Sequence, residues 1–159
     1  MINAVLIPGK YADVKMINIL FLCIANSSRS QMAEGLAREL MMGIAHISSA
    51  GSQPSKINPI AIEVLKEIGI DISHQKSKSI DSIDKENIDM VITLCAEEIC
   101  PLFSGNIKRI NWPLPDPANP KYNPDEQLEV FRKVRDELQE KIKALNKGSC
   151  EDPPKMFPA

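Results

Sequence analysis

A short apolar run that leads through a polar loop into an amphipathic helix is the feature that most constrains this chain of 159 residues. Residues 17–22 read Ile-Asn-Ile-Leu-Phe-Leu, which is typical of a strand buried on both faces of a parallel sheet. From Ser30 the apolar residues recur about one turn apart, which predicts a helix that stops at Gly43. The chain is therefore predicted to open with a βα unit whose connecting loop runs from Cys23 to Arg29.

The same alternation continues along the rest of the chain. It predicts further strands at residues 45–49, 90–94 and 107–112, a helix at residues 59–68, and a long helix that begins after Asn123 and ends at Gly148. Strands that alternate with helices predict an α/β fold with a parallel sheet covered on both faces.

Length, charge and hydropathy narrow the classes of protein that fit. The length matches one domain, predicted at residues 16–147, with residues 1–15 as a candidate N-terminal extension and residues 148–159 as a flexible, proline-rich tail. A net charge of −2 argues against nucleic acid as the main partner. No apolar run approaches the roughly 18 residues of a membrane span, and no signal-peptide pattern is present, so a cytoplasmic protein with no membrane partner is expected.

The cysteines are the candidate carriers of function. The chain has four of them, Cys23, Cys95, Cys100 and Cys150. They would make a thin disulfide framework, whereas unpaired cysteines in a reducing compartment indicate metal or catalytic chemistry. Cys95 and Cys100 with the scattered His46 and His74 make no zinc-ligand pattern, so no metal is predicted and both histidines are interpreted as structural or surface residues.

The loop after the first strand is the strongest candidate site. A short loop that leads into a helix N-terminus can turn its N–H groups inward around a tetrahedral oxyanion, and Arg29 would add a guanidinium fork. The same positive field lowers a thiol pKa, which makes Cys23 a candidate thiolate. The predicted oxyanion-binding residues are Ile24, Ala25, Asn26, Ser27, Ser28, Arg29 and Ser30. The alternative is a buried strand-end cysteine beside a surface arginine.

Two stretches of this sequence resemble a known family. Residues 23–35 read CIANSSRSQMAEG and residues 48–52 read SSAGS. Together they resemble the low-molecular-weight protein tyrosine phosphatases and, through the QMAEG ending, the thiol-dependent arsenate reductases of that fold. The resemblance extends over roughly residues 16–145. It implies a single domain with a four-stranded parallel sheet flanked by helices on both faces, with Cys23 as nucleophile and Arg29 as oxyanion clamp.

Two further cysteines and an aspartate complete the candidate site. Cys95 ends a predicted strand and Cys100 follows five positions later. A phosphatase needs neither, whereas reduction of an oxyanion needs thiols, because each disulfide formed supplies two electrons. Asp116 lies in a stiff loop, residues 112–118, that resembles the Asp-Pro loop carrying the general acid in this fold. Buried small hydrophobes for the cysteines and an exposed turn residue for Asp116 remain the alternatives.

The function predicted from these features is the reduction of arsenate to arsenite, for arsenic detoxification, through Cys23, Cys95 and Cys100. The resemblance implies thioredoxin as external reductant and no bound cofactor, while glutaredoxin or a mycothiol-like thiol stay open; a monomer is expected. Ala118 and the low aromatic content, 4%, suit a small inorganic oxyanion. The alternatives are a phosphatase acting on phosphotyrosine or small phosphate esters, and an oxyanion-binding module with a redox-sensing cysteine pair.

Lys78 departs from the pattern of some relatives, which carry an acidic residue associated with potassium binding at this place. We hypothesise that its ammonium takes the space of the cation near Asn26, Glu34 and Ser49, which would make activity insensitive to potassium. A solvated lysine is the alternative.

Overall fold

The structure is a computed structural model that describes residues 15–95 and 106–148. Cys100 and Cys150 lie outside the described residues, as do nearly all of the candidate N-terminal extension and of the predicted tail.

Four parallel strands form one sheet in the order β2-β1-β3-β4. Their bounds are β1 Ile17–Cys23, β2 Ala45–Gly51, β3 Met90–Thr93 and β4 Lys108–Asn111. In the register, Cys23 pairs with Gly51 of β2, and Leu22 pairs with Thr93 of β3. The carboxyl end of the central strand β1 therefore lies between the ends of its two neighbours, which is where ligands of parallel sheets bind.

The described part of the chain has three α-helices, all of them predicted: two lie between strands and the third follows β4. They are α1 Arg29–Leu40, α2 Pro59–Lys66 and α3 Pro124–Asn146. Asn123 caps α3 in a capping box with Glu126, which confirms the predicted helix start. Helix α2 ends at Lys66 rather than at the predicted residue 68, because the chain already turns toward Gly69, which has a φ of +83°.

The two faces of the sheet are covered differently. The side chains of Ile19 and Phe21 point into the main core, which all three α-helices share. Leu20 and Leu22 point to a smaller core on the other face, where the described cover includes two short 3₁₀ helices, Ile80–Ser82 and Lys85–Asn87. The predicted four-stranded parallel fold is thus confirmed, with the α-helices of the described part of the chain on one side.

Candidate functional site

The loop between β1 and α1 is held by its carbonyl groups. Three carbonyl oxygens accept hydrogen bonds from the segment that joins β2 to α2, at N to O distances of 2.8–3.0 Å: from Gln53 to Ile24, from Ser55 to Ala25 and from Asn58 to Ser27. Because a trans peptide is planar, each carbonyl points opposite to the N–H group of the next residue. Those N–H groups therefore point away from that segment, as a main-chain nest for an anion requires.

Asn26 gives the loop its sharp turn. Its φ of +46° is the only positive value at a non-glycine residue in the described part of the chain, and asparagine tolerates this region better than most residues. The side-chain amide donates to the hydroxyls of Ser30 and Ser49 at 2.8 and 2.9 Å. Its oxygen accepts from the main-chain N–H of Lys78 at 2.8 Å and from the Gln31 amide at 3.0 Å. Four contacts thus fix a conformation that costs free energy.

A cavity of about 200 Å³ opens beside the loop. It is lined by Cys23, Ile24, Ala25, Ser27, Ser28, Arg29, Asp116 and Ala118. Asn26 and Ser30, also predicted to bind the oxyanion, do not line the cavity, and both are fully buried. The volume is below the roughly 300 Å³ at which pockets for drug-sized ligands begin, so it suits a small anion.

Cys23 is the last residue of β1 and is 3% exposed, and its sulfur lies 2.7 Å from the hydroxyl oxygen of Ser30. That hydroxyl already accepts a hydrogen bond from Asn26, so its proton is directed to the sulfur. A hydrogen bond from Cys95 is the largest cause that lowers the pKa of Cys23 to about 6; burial opposes it, and Ser30 and the charge of Arg29 assist it.

Cys95 lies directly beside Cys23, because β3 is the neighbour of β1 in the sheet. Its sulfur accepts a hydrogen bond from the main-chain N–H of Ile24 at 3.3 Å. The hydrogen bond that the Cys95 thiol donates to Cys23, together with burial, raises the pKa of Cys95. At neutral pH the pair therefore consists of a thiolate at Cys23 and a thiol at Cys95.

Arg29, the first residue of α1, is 6% exposed. Its Nη1 donates to the carbonyl oxygen of Leu114 at 2.8 Å. A guanidinium has five N–H donors, so this bond leaves the donors of Nε and Nη2 for a ligand in the cavity that Arg29 lines.

Asp116 reaches the cavity from the loop after β4. One carboxylate oxygen accepts from the main-chain N–H of Ala118 at 3.0 Å, which holds the loop in a tight turn. The loop is fixed to β3 by hydrogen bonds from the N–H of Trp112 to Thr93 and from the N–H of Leu114 to Leu94, at 2.8 and 3.0 Å. Residues distant in sequence, Cys23 and Asp116, therefore share one cavity.

Two glutamine side chains support the loop from behind, and neither had a predicted role. Gln31 is fully buried, and its amide donates to the Asn26 carbonyl at 3.0 Å, while the amide of Gln75 donates to the Gln31 side-chain oxygen at 2.8 Å. The signal was available in the sequence, because Gln31 is a polar residue beside Met32 on the buried side of α1. Leu114 gave no such signal, since it acts through its main chain.

The carboxylate of Glu34 is buried behind the loop, and its side chain is 2% exposed. It accepts hydrogen bonds from the Ser49 hydroxyl and, at 2.6 Å, from Arg38. The ammonium of Lys78 lies 3.5 Å from the same carboxylate and donates to the Lys76 carbonyl at 2.8 Å. A lysine cation thus lies beside the buried Glu34 carboxylate.

The pKa of Cys23 predicts a pH dependence that can be measured directly. Because this pKa is lowered to about 6, the thiolate dominates at pH 7 and is lost as the pH falls through 6. We expect the rate of Cys23 alkylation by iodoacetamide, followed by mass spectrometry of the peptide, to have its midpoint near pH 6.

Replacement of Cys95 tests whether its hydrogen bond causes the lowered pKa of Cys23. In Cys95→Ala the largest cause of the shift is removed, and the midpoint should rise toward the ordinary thiol range. A wild-type midpoint above about pH 8, or an unchanged midpoint in the variant, contradicts the assignment.

Residues 15–95 and 106–148 contain neither a candidate metal site nor a candidate membrane span. No group of three or more His, Cys, Asp and Glu side chains there could hold a metal ion, and His46 and His74 are both exposed. Nor is any helix in these ranges long and apolar enough to cross a membrane.

Comparison with known proteins gives concordant matches. The low molecular weight phosphotyrosine protein phosphatase family matches residues 18–152. Arsenate reductase of Halalkalibacterium halodurans is 43% identical over 80% of this chain and 93% of its own length, and arsenate reductase of Bacillus subtilis is 42% identical over 79% and 91%.

Solved structures agree with these matches. An arsenate reductase in the phosphate binding state is 37% identical, with a TM-score of 0.71 over 84% of this chain and 98% of that one. A thioredoxin-dependent arsenate reductase of Corynebacterium glutamicum is 25% identical, with a TM-score of 0.66 over 86% of this chain and 65% of that one.

Proposed function

The chain belongs to the low molecular weight phosphotyrosine protein phosphatase family and groups with its arsenate reductases, and we propose that it reduces arsenate to arsenite through a relay of its own thiols. The observation that carries the proposal is that the Cys95 sulfur, bound to the N–H of Ile24, lies beside the Cys23 sulfur, close enough for each thiol to shift the pKa of the other. Both sulfurs lie against the loop of residues 23–29, the anion loop. Hydrolysis of a phosphate ester uses one nucleophile, whereas reduction of As(V) to As(III) requires two electrons, which two thiols supply on forming a disulfide.

Binding of the oxyanion is the first step. Arsenate carries negative charge into a cavity lined by main-chain amides, the N-terminus of α1 and Arg29. The fork of Nε and Nη2 holds two of its oxygens, and the amides of the loop hold the others. Phosphate has nearly the same shape and charge, so it binds in the same place and inhibits competitively.

Nucleophilic attack is the second step. The Cys23 thiolate attacks arsenic, a sulfur–arsenic bond forms, and one arsenate oxygen leaves as water after taking a proton from Asp116. Asp116 is proposed for this role because it is the carboxylic acid among the residues that line the cavity. Arsenic is still As(V) in this adduct.

Electron transfer is the third step, and the hydrogen bond between the thiols sets its timing. The negative charge on Cys23 keeps Cys95 protonated until Cys23 has reacted, because that charge and hydrogen bond raise the Cys95 pKa. Once Cys23 is bonded to arsenic, Cys95 passes its proton to an oxygen of the arsenic group and, assisted by the N–H of Ile24, attacks the Cys23 sulfur. The sulfur–sulfur bond forms and the sulfur–arsenic pair goes to arsenic, which leaves as arsenite.

Regeneration involves Cys100 and an external reductant. Cys100 attacks Cys95, the Cys23 thiolate is released, and a Cys95–Cys100 disulfide remains for reduction by a dithiol protein. Thioredoxin is the proposed reductant, with support from the thioredoxin-dependent relative.

The experiment that tests this function is a coupled assay. Arsenate-dependent oxidation of NADPH is measured with thioredoxin and thioredoxin reductase, beside hydrolysis of a phosphate ester by the same preparation. Turnover that requires arsenate and is lost in Cys95→Ser supports the proposal. Absence of arsenate turnover with every thiol donor, together with ester hydrolysis that Cys95→Ser leaves intact, contradicts it and favours a phosphatase.

The position of Lys78 gives a prediction about monovalent cations. Because its ammonium already lies 3.5 Å from Glu34, we expect the same kcat/KM in potassium and sodium buffers of equal ionic strength. In Lys78→Ala that carboxylate keeps Arg38 but loses its second cation, so we expect a lower kcat/KM, part of which added potassium restores. Strong activation of the wild type by potassium contradicts this role of Lys78.

A further inference from the structure

The main chain of Leu114 joins three parts of the site. Its carbonyl oxygen accepts from Nη1 of Arg29 at 2.8 Å, and its N–H donates to the carbonyl of Leu94 at 3.0 Å. Leu94 is the residue before Cys95, and Leu114 lies two residues before Asp116. Leu94 and Leu114 are both buried, so water does not compete for these hydrogen bonds.

The bond to Leu114 restricts the most flexible group in the cavity. An arginine side chain has many rotamers, and each must be lost before two N–H groups can bind one anion together. A charge-assisted bond from Nη1 to a fixed carbonyl selects one orientation in advance and leaves the opposite edge to the ligand. Pre-organisation of this kind improves binding without any new contact to the ligand.

We propose that Leu114 is a positioning residue for Arg29: its main chain, fixed to the end of β3, holds the guanidinium in the orientation that binds the oxyanion. This inference rests on the proposed oxyanion site but not on the reduction step. It also means that a displacement of Leu94 at the end of β3 reaches Arg29 through two hydrogen bonds.

The informative variant is Leu114→Pro. Proline has no N–H, and its ring would occupy the space between residue 114 and the Leu94 carbonyl, so the loop must move away from β3. The carbonyl that orients Arg29 moves with it. We expect the dissociation constant for inorganic phosphate, measured by titration calorimetry on the reduced protein, to rise about tenfold, the effect of losing one hydrogen bond to a charged group.

The pKa of Cys23 separates positioning from general damage to the site. The hydrogen bonds from Cys95 and Ser30 are the main causes that lower this pKa, and the charge of Arg29 lowers it least. In Leu114→Pro the iodoacetamide midpoint should therefore stay near pH 6 while phosphate binding weakens. A collapsed loop would change both quantities.

Leu114→Ala is the matched control. It removes a buried side chain and lowers stability, but it keeps both main-chain hydrogen bonds, so phosphate affinity should stay within about twofold of wild type.

A double-mutant cycle measures the coupling between Arg29 and Leu114. Arg29→Lys should weaken phosphate binding much less in the Leu114→Pro background than in wild type, because the orientation of Arg29 has already been lost.

The proposal is overturned if Leu114→Pro binds phosphate with wild-type affinity. It is also overturned if the losses of phosphate binding free energy in Arg29→Lys and Leu114→Pro are additive in the double variant. If Leu114→Pro does not fold, the N–H can be replaced by an ester oxygen through incorporation of the α-hydroxy analogue of leucine at position 114, with the same expected tenfold change and the same overturning result. Phosphate binding requires no redox step, so failure of the arsenate assay would contradict the proposed function and leave this inference standing.

Discussion

Substitution of Cys23 by serine is expected to abolish arsenate reduction, with a fall in kcat of at least about 10⁴-fold, the scale seen when a catalytic nucleophile is removed. The hydrogen bonds from Cys95 and Ser30 help to lower the pKa of Cys23 to about 6, so its thiolate dominates at neutral pH. A serine hydroxyl stays protonated in the same surroundings. Serine cannot form a disulfide either, so neither the adduct nor the electron transfer can follow. Steady-state turnover in the coupled assay measures the loss.

The other cysteines separate the steps of the relay. Cys95→Ser should stop turnover after the Cys23 adduct, and Cys100→Ser should stop it after one disulfide, which mass spectrometry of single-turnover mixtures can identify. Cys150→Ser makes the same chemical change at a cysteine to which we assign no step and should leave turnover unchanged. Normal turnover of Cys100→Ser with thioredoxin would refute the relay in this form.

The elements of this fold could be predicted from local pattern. The apolar run of β1 and the periodic face of α1 each reflect burial against one sheet, and Asn123 with Pro124 marks the start of α3 through local hydrogen bonding. These signals lie within a few residues of the strand or helix that they predict, so they can be interpreted without the tertiary structure.

The contacts of the site depend on strand order and on main-chain atoms, which local pattern does not encode. Cys23 ends β1 and Cys95 lies two residues after the end of β3, but they meet only because β3 lies next to β1. Leu114 contacts Arg29 through a carbonyl that every residue type possesses. The sequence therefore predicted candidate side chains for the chemistry, while the contacts that support those side chains required the structure.

Gly51, the last residue of β2, gives the second large expected effect. A Cβ built at this position would lie 2.8 Å from the Asn26 nitrogen and from the Cys23 carbonyl, and closer still to the Ile24 carbonyl. These atoms are main chain of the anion loop, so they cannot turn aside as a flexible side chain would. In Gly51→Ala the loop must move from β2, which would misplace its N–H groups and the Cys23 sulfur together.

We therefore expect Gly51→Ala to lose about 1–3 kcal/mol of unfolding free energy through overpacking, and phosphate affinity and kcat/KM to fall at least about tenfold. Gly43→Ala is the matched control: its φ of +77° makes alanine strained by about 1–2 kcal/mol, yet its Cβ would meet no atom within 4 Å. Both variants should unfold at lower temperature in calorimetry, but only Gly51→Ala should bind phosphate weakly. Equal affinity in the two variants would mean that the close approach of β2 does not shape the anion loop, since stability alone would then account for every change.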